Sequence, residues 1–397
     1  MADFEKTLAE STTRGSNSIP GCVLAAVDQN GDKFYSKASG YDSVAADASE
    51  IKQDGVFWIA SCTKLIGTIA ALQCVERGQV SLDEPVERIL PELAKLNIIK
   101  PSEVATAPAS QKFILEPSTK KITLRQLLSH TSGLSLDVNY SLIQSWRSSR
   151  QENVLALSGK LMDAYLVPLL FEPGDGWAYS GGIDLACEAV ARLNKVPLEE
   201  YLQEHVFGPL GMSSTTFRLE RHPELANRRV KTTKRTEAGI LEEATCLWPE
   251  HAPEDCAGAG LYSTSDDYAK VLSELIRDKP TVLKPETISL MFAPQLERGS
   301  QAMRDLHNYP MAHAITGTKD ANNAINFGLG GLYIEEDVGN HKKDSLIWGG
   351  LPNLFWFANR ARGTGAFYAS QVLPPGDPKS IQLSQEFIKY IHRTKQL

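Results

Sequence analysis

The segment that follows Ser61 constrains the fold of this chain more than any other. From Leu65 to Val75 most positions are apolar. A helix that is hydrophobic nearly all round has to be buried, and Gly78 provides a stop for it. The chain therefore needs packing partners on every side of this helix, so it must form a large globular core.

The composition agrees with a globular protein and excludes other classes. Hydrophobic residues make up 42% of the 397 residues and charged residues 22%, close to the average of soluble domains. The net charge of −7 provides no basic field to attract nucleic acid. No run approaches the roughly 20 apolar residues that cross a bilayer, and the first residues lack the apolar segment of a secretory signal. We therefore expect a cytoplasmic protein that binds neither nucleic acid nor membrane.

Cysteine and histidine spacing argues against a metal centre. The six cysteines form no Cys-x-x-Cys pair, and none of the eight histidines belongs to a His-Glu-x-x-His motif. We expect buried free thiols and a reaction that uses no metal and no other cofactor.

The two ends of the chain carry strand patterns, and the middle carries helix patterns. Short runs rich in β-branched and aromatic residues predict the strands Cys22–Val27, Lys33–Ala38, Gly331–Glu335, Ser345–Trp348, Leu354–Ala358 and Ala366–Ser370. We expect an α+β fold, in which residues 1–60 and 278–397 form a discontinuous domain with an antiparallel sheet flanked by helices. Residues 61–277 form a large, mostly helical insertion, and the active site lies at the interface.

Ser61 and Lys64 stand three residues apart at the start of the apolar helix, which places both side chains on one face. A serine hydroxyl needs a neighbouring base to become a nucleophile, and a desolvated lysine amine can act as that base. The helix N-terminus adds a positive dipole and free N–H groups. Two polar, loop-like segments carry the same spacing, Ser49 with Lys52 and Ser118 with Lys121. The apolar helix behind Ser61 favours this serine as the nucleophile.

Two further segments could complete such a site. The turn-rich loop Glu172–Gly182 brings Tyr179 to the start of a helix, where its phenol could carry protons next to Lys64. A strand near the C-terminus ends in Gly349 and Gly350, which would let a substrate carbonyl approach the strand edge. Taken alone, the tyrosine could equally be a packing residue and the glycine pair a plain turn.

Together and in this order, the three segments resemble the serine β-lactamase and penicillin-binding-protein superfamily. The likeness is greatest to its class C branch, to the family VIII carboxylesterases and to the fungal acyltransferases of the lovastatin transesterase type. Further phrases typical of the superfamily lie between about residues 18 and 370, at Ala71–Gly78, Leu82–Val86, Ile122–Leu134, Phe207–Met212 and Gly260–Asp267.

The resemblance implies a role for each matching position. Ser61 takes the place of the family nucleophile, Lys64 that of its base, and Tyr179 the first position of the Tyr-x-Asn element. The backbone N–H groups of Ser61 and Leu351 take the two positions of the oxyanion hole.

The chain departs from the lactamase pattern at two places. Gly181 stands where the lactamases have asparagine, and Trp348 with the following glycine pair stands where they have Lys-Thr-Gly. An indole offers an apolar wall in place of a cation that helps to hold a carboxylate. We therefore expect Trp348 to line a pocket for an uncharged substrate, with Trp177 and Tyr140 behind it.

The sequence thus predicts serine-dependent acyl transfer through a covalent acyl-enzyme. The protein would act as a carboxylesterase or transesterase on an ester or thioester of a hydrophobic, polyketide-type small molecule. An alcohol would be the acceptor in the second case, and an acyl carrier protein is a candidate donor. Two alternatives stay open: a β-lactamase or D-amino-acid peptidase, and a non-catalytic ligand-binding protein on the same fold.

Overall fold

The strands form one large sheet and three small ones. The computed structural model describes residues 2–102, 113–321 and 324–395. Its strands are β1 Gly21–Asp28, β2 Lys33–Gly40, β3 Val56–Trp58, β4 Asn97–Pro101, β5 Phe113–Pro117, β6 Thr233–Arg235, β7 Leu241–Glu243, β8 Tyr262–Thr264, β9 Ile325–Phe327, β10 Leu332–Ile334, β11 Ser345–Gly350, β12 Leu354–Asn359, β13 Thr364–Ala369 and β14 Val372–Leu373.

The large sheet has seven strands in the order β2-β1-β13-β12-β11-β10-β9, and each neighbouring pair is antiparallel. Two of these strands come from the start of the chain and five from its last third. The first strand pairs with a late one, and Val23 lies opposite Ala369. The predicted antiparallel sheet built from both chain ends is therefore confirmed.

The helices surround this sheet and fill the region beside it. They are α1 Ala2–Ser11, α2 Thr63–Glu76, α3 Leu124–Leu128, α4 Ser141–Ser149, α5 Leu161–Tyr165, α6 Gly182–Asn194, α7 Leu198–Leu202, α8 Gly208–Leu210, α9 Pro223–Ala226, α10 Ser265–Ile276, α11 Pro285–Met291, α12 Gln301–His307, α13 Pro310–Thr316 and α14 Pro378–Thr394. Across the described ranges, none of them combines the length and apolar character that a membrane crossing demands.

Helices cover both faces of the sheet. Trp356 of β12 pairs with Phe367 of β13, and Phe367 stacks on Tyr268 of α10 with ring centroids 4.3 Å apart. Side chains alternate along a strand. Phe357, which follows Trp356 in β12, therefore faces the other side of the sheet, where its ring centroid lies 4.8 Å from that of His392 on α14. Strands buried on both faces need apolar residues at consecutive positions, which explains the apolar run of β1.

The helix that follows Ser61 is α2, and it is buried as predicted. Every residue from Thr63 to Cys74 is buried. Its main helical neighbour is α6, and the two helices approach closely at Gly67, whose carbonyl accepts a hydrogen bond from the Cys187 thiol at 3.3 Å. The α+β arrangement confirms the expected fold class. The division at residues 60 and 277 stays a prediction, and α10, inside the expected insertion, packs on the large sheet.

Candidate active site

Ser61 lies in a short turn, Ala60–Cys62, that leads directly into α2. Ala60 has φ +45°, a left-handed conformation that a residue with a side chain adopts only where its surroundings enforce it. Hydrogen bonds on both sides hold the turn: the N–H of Ile59 donates to Leu261 O at 3.0 Å, and the Tyr268 hydroxyl donates to Cys62 O at 2.9 Å. Ser61 itself is half-buried. The fold thus fixes this serine in a strained turn at the start of a core helix.

Lys64 lies beside Ser61, as the spacing predicts. Its side chain is buried, with 5% of the residue exposed. The amine Nζ donates to Ser61 Oγ at 3.4 Å and to the carbonyl of Gly258 at 2.6 Å. A buried amine at this distance can exchange a proton with the serine hydroxyl.

Tyr179 is brought to the same point from a distant part of the chain. Lys64 Nζ lies 4.8 Å from the centre of the tyrosine ring, and Trp348 of β11 donates a hydrogen bond from Nε1 to the tyrosine hydroxyl at 3.4 Å. The phenol is buried. The three segments that the sequence singled out therefore meet in the structure.

The end of β11 touches the turn that carries Ser61. A Cβ atom on Gly350 would lie 2.5 Å from Ile59 O and 3.3 Å from Cys62 Sγ, so only glycine fits at this approach. Gly349 has a similar constraint from the neighbouring strand β12, because a Cβ atom on Gly349 would lie 2.5 Å from Leu354 O. Leu351 follows directly and is half-buried. This close contact brings the backbone that follows β11 next to the turn that carries Ser61.

His130 lies next to the candidate site, although its sequence context assigned it no role beyond its place in a segment typical of the superfamily. Its ring lies 4.8 Å from that of Tyr179, and its Nδ1 shares a hydrogen bond with Ser180 Oγ at 3.2 Å. Burial, reinforced by the charge of Lys64, lowers the pKa of His130 well below its usual range. The imidazole is therefore neutral at physiological pH and packs as an aromatic support for Tyr179.

Asp184 is a second residue whose contacts near the site could not be predicted from the sequence. Its position at the start of α6 suggests a helix cap, but its carboxylate instead accepts a hydrogen bond from the Gly258 N–H at 2.7 Å. Gly258 is the residue whose carbonyl receives the Lys64 amine. Only the folded structure brings this loop glycine between the two charged side chains.

An aromatic cavity of about 610 Å³ opens beside Tyr179. It is lined by Asn139, Tyr140, Leu170, Phe171, Trp177, Ala178, Asp305, Asn308, Tyr309, Pro310 and Met311. Two of the predicted pocket residues, Tyr140 and Trp177, are thus in its wall. The third, Trp348, stands behind it and stacks with Tyr309 at 6.5 Å between ring centroids. Tyr309 had no distinguishing sequence pattern.

The two other Ser-x-x-Lys segments lie in different surroundings. Ser49 and Lys52 are both exposed. Ser118 donates its hydroxyl to Glu172 at 2.8 Å, and Lys121 is ion-paired with Glu87. Neither pair has a buried amine next to the serine.

Comparison with known proteins adds independent findings. A protein-family profile described as Beta-lactamase matches residues 4–385. The chain is 36% identical to the protein named Acyltransferase calJ from Penicillium decumbens, over 96% of both chains. It is 32% identical to Lovastatin esterase from Penicillium rubens, over 95% of both. The solved structure of unliganded Simvastatin Synthase (LovD) from Aspergillus terreus matches with a TM-score of 0.87 and 31% identity, covering 98% of this chain and 97% of that one.

Proposed function

Because the chain belongs to the β-lactamase family, we propose that it is a serine acyltransferase that works through a covalent acyl-enzyme. The observation that carries this proposal is the contact of the buried Lys64 amine with both the Ser61 hydroxyl and the Tyr179 ring. A ligand-binding protein would not need a buried amine next to a serine in a strained turn.

The reaction has two halves. In the first, Ser61 Oγ attacks the carbonyl carbon of an ester or thioester, and its proton passes to Lys64 and Tyr179. The N–H groups of Ser61 and Leu351 stabilise the oxyanion, and the C–O or C–S bond breaks as the leaving group takes up the proton. In the second half, the same pair removes a proton from an acceptor alcohol, whose oxygen attacks the acyl carbon. The bond between that carbon and Ser61 Oγ then breaks, and Lys64 and Tyr179 return the proton to Ser61 Oγ.

A hydrophobic substrate suits the surroundings of the site. Tyr140, Trp177 and Tyr309 give the cavity broad apolar walls, and Trp348 stands where lactamases of the family carry a lysine. A substrate carboxylate would have no cation at that position. We infer an uncharged ester of a hydrophobic, polyketide-type molecule, in keeping with a relative named Simvastatin Synthase.

Hydrolysis is the second candidate function, because one relative is named Lovastatin esterase. Transfer and hydrolysis share the acyl-enzyme and differ only in whether an alcohol or water attacks it. The outcome depends on how well the site excludes water.

The donor and the cellular location belong to the same proposal. A thioester donor, including one carried by an acyl carrier protein, provides a good leaving group for the first half. The free state of all six cysteines is typical of a reducing, cytoplasmic location.

The test is mass spectrometry of the intact protein after mixing with a short-chain p-nitrophenyl ester or an acyl thioester. We expect an added acyl mass in the wild type and its loss in Ser61→Ala. The matched control is Ser49→Ala, which removes the exposed serine of the same spacing and should keep the adduct. An adduct that persists until a bulky alcohol is added identifies a transferase, and one that decays in water identifies an esterase. Unchanged acylation of Ser61→Ala would contradict the proposal.

A further inference from the structure

Asp184 is a buried carboxylate for which the scheme above has no use. It lies in the first turn of α6 and is completely buried. One oxygen, Oδ1, accepts the Gly258 N–H at 2.7 Å, while Oδ2 has no hydrogen-bond partner in the described part of the chain. Burying a carboxylate with an unpaired oxygen is costly. Such a group is retained either for folding or for a function.

Gly258 connects this carboxylate to the catalytic amine. Its N–H donates to Asp184, and its carbonyl accepts from Lys64 Nζ at 2.6 Å. A Cβ atom at Gly258 would lie 2.0 Å from Asp184 Oδ2, so only glycine allows the carboxylate to come this close. The backbone of Gly258 thus binds the Asp184 carboxylate through its N–H and the Lys64 amine through its carbonyl.

Among the described residues, four titratable groups on the surrounding elements interact electrostatically with Asp184. They are Lys64 on α2, Tyr165 on α5, Cys187 on α6 itself and Cys256 on the loop that carries Gly258. Burial raises the pKa of Tyr165, Cys187 and Cys256 well above the usual ranges, so these three are neutral. They therefore add no negative charge beside the carboxylate, and Lys64 is the one group of the four with a cationic form.

Burial raises the pKa of Asp184 to about 6, and the charge of Lys64 and the Gly258 hydrogen bond oppose this rise. The carboxylate is ionised at neutral pH and takes up a proton as the pH falls through about 6.

We propose that Asp184 is a positioning residue for acyl transfer: it fixes the Lys64 amine beside Ser61 through Gly258, and its negative charge stabilises the ammonium formed when Lys64 accepts the serine proton. Only the serine proton moves in this step, from Oγ to Nζ, and Asp184 stays ionised. A carboxylate that orients a base and stabilises its cationic form has the same part in the Ser-His-Asp triad. The inference rests on the proposed function, since it assigns Lys64 as the base.

The variant Asp184→Asn separates position from charge. Its amide oxygen can still accept the Gly258 N–H, so Lys64 keeps its place, but the negative charge is gone. We expect kcat at pH 7.5 to fall about 10-fold or more with KM little changed, because the loss affects the transition state. In the wild type, kcat should fall as the pH is lowered through about 6. In Asp184→Asn this inflection should be absent.

The matched control is Glu274→Gln on α10. Glu274 is also fully buried and accepts a backbone N–H, that of Val282 at 2.6 Å, but it lies outside the candidate site. This variant should keep both kcat and the inflection near pH 6. If Asp184→Asn does not fold, Asp184→Ser removes the charge with a smaller side chain and is measured in the same way.

Each result decides the matter. A folded charge-removing variant with wild-type kcat and a wild-type inflection overturns the inference. Failure of both Asp184 variants to fold, beside a folded Glu274→Gln, makes Asp184 a folding residue and also overturns it. Absence of a Ser61-dependent acyl adduct in the wild type is a separate result, which overturns the proposed function itself.

Discussion

The ring of Tyr165 lies against Gly181, two residues after the proposed proton carrier Tyr179. A Cβ atom on Gly181 would be 2.3 Å from the ring, and the tyrosine is held in place by a hydrogen bond from its hydroxyl to Ala156 O at 3.3 Å. In this chain, the space into which a side chain at position 181 would project is thus filled by an aromatic ring. The departure from the Tyr-x-Asn pattern therefore has a steric partner elsewhere in the chain.

We predict that Gly181→Ala lowers the free energy of unfolding by about 1–3 kcal/mol, because the added methyl group overpacks the site. Urea unfolding measures the change. In a Tyr165→Ala background the same substitution should cost clearly less, since the Cγ and Cδ atoms that the added methyl group collides with are gone. Equal costs in the two backgrounds would show that the ring is not the obstacle.

Single residues were predictable from sequence where a short motif coincided with a distinctive element. Ser61 and Lys64 stand at the mouth of an apolar helix, and Tyr179 ends a turn-rich loop. Asp184 and Gly258 carry no such signal, because their relation exists only once a loop far along the chain packs against α6. The roles given to all these residues stay predictions until the variants are measured.

At the scale of elements, α2 depends on a close approach to α6. A Cβ atom on Gly67 would lie 2.9 Å from Cys187 Sγ and equally close to Ala257 Cβ. Two effects of Gly67→Ala therefore oppose each other. Alanine favours the helix by about 1 kcal/mol over glycine, whereas overpacking of a well-filled core costs about 1–3 kcal/mol.

We predict that the packing cost is the larger effect, so that Gly67→Ala lowers the melting temperature. Differential scanning calorimetry of the single variant and of Gly67→Ala with Cys187→Ala tests this. The second substitution removes the sulfur that the new methyl group meets and should restore part of the loss. A Gly67→Ala protein more stable than the wild type would mean that the helices can separate at little cost.

Elements were predictable where the apolar pattern is long. The strand β1 contains the predicted Cys22–Val27, and α2 the predicted buried helix. The position of α10 was not predictable, because its amphipathic pattern says that one face is buried but not which partner covers it. Its contacts with β1, β12 and β13 depend on strands that lie at the two ends of the chain.

At the scale of the whole molecule, two buried histidines join α14 to the rest of the fold. His341 lies against α13, where its Nε2 donates to Ile315 O at 3.1 Å, and His392 of α14 lies on the ring of Phe357. Burial lowers the pKa of His341 to about 4. Burial, with a contribution from His341, lowers the pKa of His392 to about 3.

These shifts predict a loss of stability in acid. An unfolded chain takes up protons at histidine near pH 6.5, while the folded protein does not do so until about pH 4 or below. The unfolded state therefore binds more protons in this window, and each histidine should cost about 2 kcal/mol of stability between pH 7.5 and 5. Asp184 has the opposite effect on acid stability. Its pKa is raised in the folded state, so as the pH falls the folded state takes up this proton before the unfolded state does.

The variant His392→Phe isolates the histidine contribution. In this variant, the decrease in unfolding free energy caused by the two histidines between pH 7.5 and pH 5 should be about half as large as in the wild type. The control His222→Asn, at an exposed side chain, should show the full decrease. Urea unfolding of the three proteins at pH 7.5 and pH 5 provides the comparison, with Asp184 the same in each. If His392→Phe loses as much stability in acid as the wild type, these histidines do not limit acid stability.

The pairing of β1 with β13 also has a consequence for synthesis on the ribosome. The strands β1 and β2 leave the exit tunnel early, but the other edge of β1 has no strand to pair with until β13 emerges. The strand β11, which touches the turn of Ser61, is translated only shortly before it. Ser61, the proposed nucleophile, is therefore translated long before the strand that completes its surroundings, so a nascent chain should gain activity only after β11, β12 and β13 have been released.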